Sequence, residues 1–310
     1  MRSAVLAVGL WLLTGIEPGA ARVLEVGPGR AFAQPSDAAA AAADGDIIRI
    51  AAGTYRNCAV WRSNRIVIEG ENAATTIVTE RSCQGKGIFI ITGNDVTVRN
   101  LTLSGARVPD ANGAGIRAEG AGLTVENLRF LGNENGILTG QERTAWLVVR
   151  DSEFIGNGSC ERDCAHGIYA GNIGLLRVER SRFIGTRQGH HIKSRAWRTE
   201  ILGNEIDDGP DGTASYLIDI PNGGAVVIRG NRMRKGPHSQ NRSTAITIGA
   251  EGVNRPTPEI LIEGNSFILE GGYATTFVTN RTGTAARLIR NRIPASVRPL
   301  NGDGRVTARP

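Results

Sequence analysis

The densest chemistry in the sequence is the run Gly189-His-His-Ile-Lys-Ser-Arg195, with two of the chain's four histidines, a lysine and an arginine. Such a set suits proton transfer beside an anion: one group takes a proton, one neutralises charge, and one returns a proton. Nearby positive charge disfavours the protonated form of a lysine, so Lys193 is the expected base. Arg195 or Arg117 is expected to hold a carboxylate in a two-pronged contact. Tyr169 or His191 is expected to give a proton to a leaving oxygen. Asp219 would position the lysine or bind a hydroxyl or cation; its plainer role is a salt bridge with Lys193, worth little if exposed. Asn222 is expected in a turn or against substrate, Glu251 in the same groove or in a loop, and Trp197 against a ring or packed. His166 precedes His190 by one repeat. Strand alternation turns both inward, as packed residues or substrate contacts.

These residues need a frame, and the sequence supplies one by repetition. An eight-residue unit recurs, as in Leu123-Thr-Val-Glu-Asn-Leu-Arg-Phe130, Leu176-Arg-Val-Glu-Arg-Ser-Arg-Phe183 and Ile260-Leu-Ile-Glu-Gly-Asn-Ser-Phe267. Apolar and polar side chains alternate within it, which is strand periodicity. Asn, Asp or Gly often occupies its middle, where a sharp bend with left-handed backbone is tolerated. The last positions form an apolar column: Leu103, Phe130, Phe154, Phe183, Ile206, Met233, Phe267 and Ile293. A second column runs through Ile116, Ile137, Ile168, Ile192, Ile218 and Ile246. One coil per repeat, about 26 residues, predicts an all-β, three-faced solenoid of about ten coils, with like side chains stacked at the strand spacing. The residue after each isoleucine then points outward, which lines up Arg117, Leu138, Tyr169, Lys193, Asp219 and Thr247. The residue before it is also expected outward: Gly115, Gly136, Gly167, His191, Leu217 and Ala245. The glycines would leave an open groove in which a linear polymer could lie.

The remaining features fit an exported solenoid. Residues 1–21 have the form of a signal peptide, with Arg2, an apolar run from Ala4 to Leu13 and small residues at Gly19-Ala20-Ala21. The expected location is therefore secreted or periplasmic, with no membrane segment after cleavage. Four cysteines in such a chain predict disulfides, with Cys58–Cys83 and Cys160–Cys164 the favoured pairs. Ser36 to Asp46, with six consecutive alanines, predicts a short helix capped by Ser36 and covering the first coil, whose first strand is Asp46–Ile50. The solenoid domain spans 22–293. The tail, 294–310, either caps the last coil or lies free. A formal net charge of +6, from 36 Lys and Arg against 30 Asp and Glu, favours an anionic partner. No P-loop, dinucleotide fingerprint or zinc spacing is present, and nucleic acid is not an expected partner. No cofactor is identified, although Asp207-Asp208-Gly-Pro-Asp211 offers oxygen ligands suited to calcium.

The stretch from Ala38 to Tyr55, with Gly45-Asp46-Ile47-Ile48 and Gly53-Thr54-Tyr55, resembles the opening of the pectin-lyase-like superfamily. The Gly-Asn units are similar to those of its bacterial right-handed parallel β-helix repeat proteins. The resemblance covers roughly 22–293 and implies the fold. Because the superfamily includes lyases, hydrolases, epimerases and phage tailspikes, it leaves the activity open. The leading expectation is a polysaccharide lyase or C5 epimerase acting on acidic, uronate-containing polysaccharide. The alternatives are a non-catalytic polysaccharide-binding or cell-surface protein and a glycoside hydrolase. The Asp-Pro-His-Asp motif of alginate epimerases is absent. So is the Asn-Thr-Asp motif of polygalacturonases.

Overall fold

Short alternating segments separated by bends cannot bury their apolar faces alone; stacking them into coils buries every face but the two ends. The structure, a computed structural model, describes residues 21–307, so the expected signal segment lies outside the described residues except for Ala21. Three parallel sheets of twelve, ten and nine strands run along the solenoid, and every coil between the two ends passes through all three in turn.

The predicted bend is where the sequence puts it. The fifth residue of successive units has left-handed backbone at Asn100, Asn127, Asp151, Arg180, Gly203, Gly230, Gly264 and Arg290, with φ between 47° and 68°. The sixth residue explains the Gly-Asn repeat. Asn231 Nδ2 donates to Ile201 O at 2.9 Å and to Asn265 Oδ1 at 2.9 Å, and Asn265 Nδ2 donates to Asn291 Oδ1 at 2.9 Å. This ladder satisfies backbone carbonyls that the bend removes from the sheet.

Both apolar columns fill the interior. Phe130, Phe154 and Phe183 are fully buried, with ring centroids 4.6 and 4.5 Å apart and planes within 11°. The six isoleucines are fully buried and in register. Both expected disulfides form, Cys58–Cys83 between neighbouring coils and Cys160–Cys164 within one loop.

The ends differ from expectation in three respects. The helix is Pro35–Ala41, with Gln34 rather than Ser36 at its N-cap, because Asp37 accepts the Gln34 N–H at 3.2 Å. Its Ala38 and Ala39 are buried, and it packs against strand Ala59–Trp61. An earlier strand, Val23–Val26, precedes Ile47–Ile50 and pairs with it. At the other end, Arg298–Asn301 and Gly304–Thr307 extend the ten- and twelve-stranded sheets, so this part of the tail adds strands to the last coil.

Candidate functional site

Strands Ile168–Ala170, Ile192–Ser194, Ile218–Ile220 and Thr244–Ile248 are consecutive in the ten-stranded sheet. Their register places Tyr169 beside Lys193, Lys193 beside Asp219 and Asp219 beside Thr247, as the alignment on the isoleucines predicts. Loops from the following coils fold over this row. Lys193 Nζ lies 2.7 Å from Glu251 Oε1 and 3.5 Å from Asp219 Oδ2. Arg195 donates from Nε to Tyr169 Oη at 2.9 Å, from Nη2 to Glu251 Oε2 at 2.5 Å, and from Nη1 to Asn222 Oδ1. Asn222 stays fixed by donating Nδ2–H to Gly252 O at 3.1 Å. Tyr169, Lys193, Arg195, Asp219, Asn222 and Glu251 therefore form one cluster.

The expected surroundings of Lys193 are corrected. Its nearest charged partners are carboxylates, and the neighbouring histidines are neutral. Burial, reinforced by Lys193, pushes His190 down to about 3. Burial and then His190, Lys193 and Arg195 push His166 well below its ordinary value. Burial raises the Asp219 carboxyl to about 6 despite the opposing pull of Lys193. Asp219 Oδ1 has no hydrogen-bond partner, while Oδ2 lies 3.4 Å from His190 Nε2. For Glu251, burial also pulls upward, but the hydrogen bonds from Lys193 and Arg195 outweigh it and hold the carboxyl below its usual value.

The inward orientation expected of His166 and His190 is also overturned. They form an outer ladder beside the cluster. His166 N–H donates to Asn135 Oδ1, His190 N–H to His166 Nδ1, and Tyr216 N–H to His190 Nδ1, at 2.8, 3.0 and 3.1 Å. The His166 and His190 rings stack at 4.8 Å, and Tyr216 stacks on His190 at 5.0 Å. Because each Nδ1 accepts a backbone N–H, Nε2 carries the proton, and that of His190 faces Asp219.

His191 is the converse correction. It is fully buried, so it does not face the groove as a proton donor. Its Nδ1 pairs with Thr186 Oγ1 at 2.7 Å and its Nε2 with Asp208 Oδ1 at 2.8 Å, while Asp208 Oδ2 accepts from Ser239 Oγ and Gly236 N–H. The strand begins at Ile192, so its alternation does not extend to the preceding residue. The whole position faces inward: a Cβ on Gly115 or Gly136 would lie 2.8 or 2.7 Å from a Phe130 or Phe154 ring carbon. The glycines make room for the phenylalanine column, and do not line an open groove. Leu217 and Ala245, at the same position, are likewise in the core. Where the column shrinks from Phe183 to Ile206, the imidazole of His191 takes the space, edge-on to Phe183 at 6.5 Å.

Two expected contacts lie apart from the cluster. Arg117 is two coils away, with Leu138 between it and Tyr169, and its Nε lies 3.4 Å from Glu119. Trp197 donates Nε1–H to Asn172 Oδ1 at 3.0 Å, and the Arg143 guanidinium covers its ring at 3.8 Å. Asp207 pairs with Arg234 and Asp208 with His191, so their carboxylates diverge. Among the described residues no group of three or more His, Cys, Asp or Glu is arranged to hold a metal ion.

Sequence reading missed Tyr216, Lys235 and Arg255. Tyr216 stands 26 residues after His190, so the repeat length itself marks it. Lys235 is fully buried and donates to Ser215 O at 2.8 Å, with burial pushing it down to about 8; alternation from buried Met233 points to it. Arg255 donates to Arg195 O from a loop whose length follows no repeat, so no sequence signal marks it.

Comparison with known proteins agrees with this architecture. The family model described as the right-handed beta helix region matches residues 48–206 of the 310, which include Tyr169, Lys193 and Arg195. Among solved structures, the chain is similar to an alginate lyase from Paenibacillus sp. str. FPU-7, with TM-score 0.53 and 16% identity over 91% of this chain and 99% of that one. It is also similar to ORF18 of Geobacillus virus E2, with TM-score 0.51 and 14% identity over 80% of this chain; there it spans 53% of the viral chain. At such identities the likeness concerns the fold. A search of curated proteins found no match. The chain belongs to the right-handed β-helix region family, the pectin-lyase-like architecture that its opening residues resemble.

Proposed function

We propose that the protein is a secreted, carbohydrate-active enzyme that acts on uronate-containing polysaccharide by β-elimination or C5 epimerisation. The observation that carries this reading is the register of Tyr169, Lys193 and Asp219 on three adjacent coils, with Arg195 bonded to Tyr169 and linked to Lys193 through Glu251. Both reactions start by removing the proton on the carbon beside the carboxylate. Arg195 neutralises that carboxylate and the enediolate that develops from it. Lys193 arrives charged, so it first passes a proton to Asp219, the nearest buried group able to receive one, raised to about 6 and 3.5 Å away; its freed amine then takes the proton from the carbon. Tyr169 Oη accepts the Arg195 N–H, which leaves its own O–H free to protonate a leaving oxygen or the opposite face of the carbanion. The lyase among the similar structures supports this reading at the level of fold.

One observation favours a second reading. Asp219 and Glu251 both reach Lys193, and their surroundings push their carboxyls in opposite directions, up to about 6 and downward. A pair displaced in this way suits the acid and the carboxylate of a glycoside hydrolase.

Incubation with pectate, alginate and glucuronate-containing polymers, with product analysis, separates the readings. Unsaturated uronate ends are expected for elimination, and an altered ratio of epimers in an intact chain for epimerisation. New reducing ends without unsaturation would replace the leading reading with hydrolysis. Binding without any product would leave a polysaccharide-binding role.

A further inference from the structure

The two cations of the cluster already share one carboxylate. Glu251 presents Oε1 to Lys193 at 2.7 Å and Oε2 to Arg195 at 2.5 Å. A uronate carboxylate approaching the same pair would take the same place, one oxygen to each cation. Asp219 is held differently: its side chain is 4% exposed and lies within a strand. The Glu251 side chain is 44% exposed. It stands in a turn between Gly249 and Gly252, both with left-handed backbone, at φ 81° and 90°. Its backbone is pinned, since its N–H donates to Pro221 O at 3.0 Å, but its carboxylate has no hydrogen bonds other than those from Lys193 and Arg195. Rotation about side-chain bonds is enough to carry it into solvent.

We propose that Glu251 is a resident surrogate for the substrate's carboxylate, filling the subsite between Lys193 and Arg195 in the empty groove and swinging out when a uronate binds. The inference rests on reading the groove as a uronate site, and it adds a selectivity device. With Glu251 in place the cations are screened from stray anions and from each other. A neutral sugar has nothing to exchange for it, so it leaves the surrogate seated. A uronate restores the charge balance that departure of Glu251 disturbs. The internal competitor lowers the apparent affinity for every uronate by the fraction of time it is seated.

The test is calorimetric binding of oligogalacturonate and oligomannuronate, each beside its carboxyl-reduced, neutral counterpart. Glu251→Gln keeps the shape and removes the charge; Glu251→Ala also removes the hydrogen bonds. Both variants are expected to bind at least one uronate oligomer about fivefold more tightly than the parent, the upper end for one partly exposed ion pair, with no gain for the neutral oligomers. Unchanged or weaker uronate binding in both variants overturns the surrogate. If Lys193→Ala still abolishes uronate binding in that case, the site itself stands and Glu251 is a structural partner. Absence of uronate binding in parent and variants alike overturns the site and the surrogate together.

Discussion

His190 shows how one residue's surroundings set its chemistry. Its imidazole is buried in a stack and sits beside Lys193, so protonation is disfavoured and its value falls to about 3. The unfolded chain binds a proton at this residue once the pH drops below about 6.5, whereas the folded chain does so only near the depressed value. The stabilisation is therefore complete above pH 6.5 and is lost as the pH falls toward 3; His166 acts in the same sense. Asp219 opposes them: raised from 3.8 to about 6, it contributes stability that is present below 3.8 and lost as the pH rises through 6. Two displaced histidines outweigh one carboxyl. The midpoint of chemical denaturation is expected to fall between pH 6.5 and 4, and His190→Asn, which copies the Asn135 rung of the ladder, should flatten that slope. An unaltered slope in the variant would show that His190 titrates normally in the fold. The sequence revealed which residues converge here, because repeat length alone puts Tyr169, Lys193 and Asp219 in line. It did not reveal which way the histidines point. That is decided in the turn before each strand, where alternation has no force.

At the scale of the element, the eight-residue unit carries most of the fold. Its alternation forms the strand, its left-handed fifth residue makes the bend, and its last residue fills the core. Phe154 lies between Phe130 and Phe183 at 4.6 and 4.5 Å, so its loss would open a cavity that neighbouring coils cannot close. Phe154→Ala is expected to destabilise by about 3–5 kcal/mol in chemical denaturation, and a loss below about 1 kcal/mol would contradict the stack. The unit was readable because the period-two pattern and the column of large side chains recur in every coil. The asparagine ladder was legible only as turn chemistry, since its partners lie one coil away. The coverings were the least legible part: Glu251 and Arg255 come from loops of irregular length, and only their contacts tie them to Lys193 and Arg195.

Across the whole molecule, the solenoid separates stability from chemistry. The twelve-stranded sheet pairs its arginines with carboxylates of its own, as in Arg49–Glu69–Arg99 and Arg229–Glu263–Arg290. The ten-stranded sheet instead gathers Lys193 and Arg195 beneath a movable carboxylate. Stacked coils hold such a row at strand spacing, a geometry suited to a linear polymer. The most direct test of the account is turnover of whichever acidic polysaccharide is converted, compared among the parent, Lys193→Ala and Lys193→Arg. Arginine keeps the charge but holds its proton at neutral pH. If Lys193 moves the proton, both variants lose at least about a hundredfold in kcat with their folding intact. Full activity in both would contradict the account and remove Lys193 from the reaction.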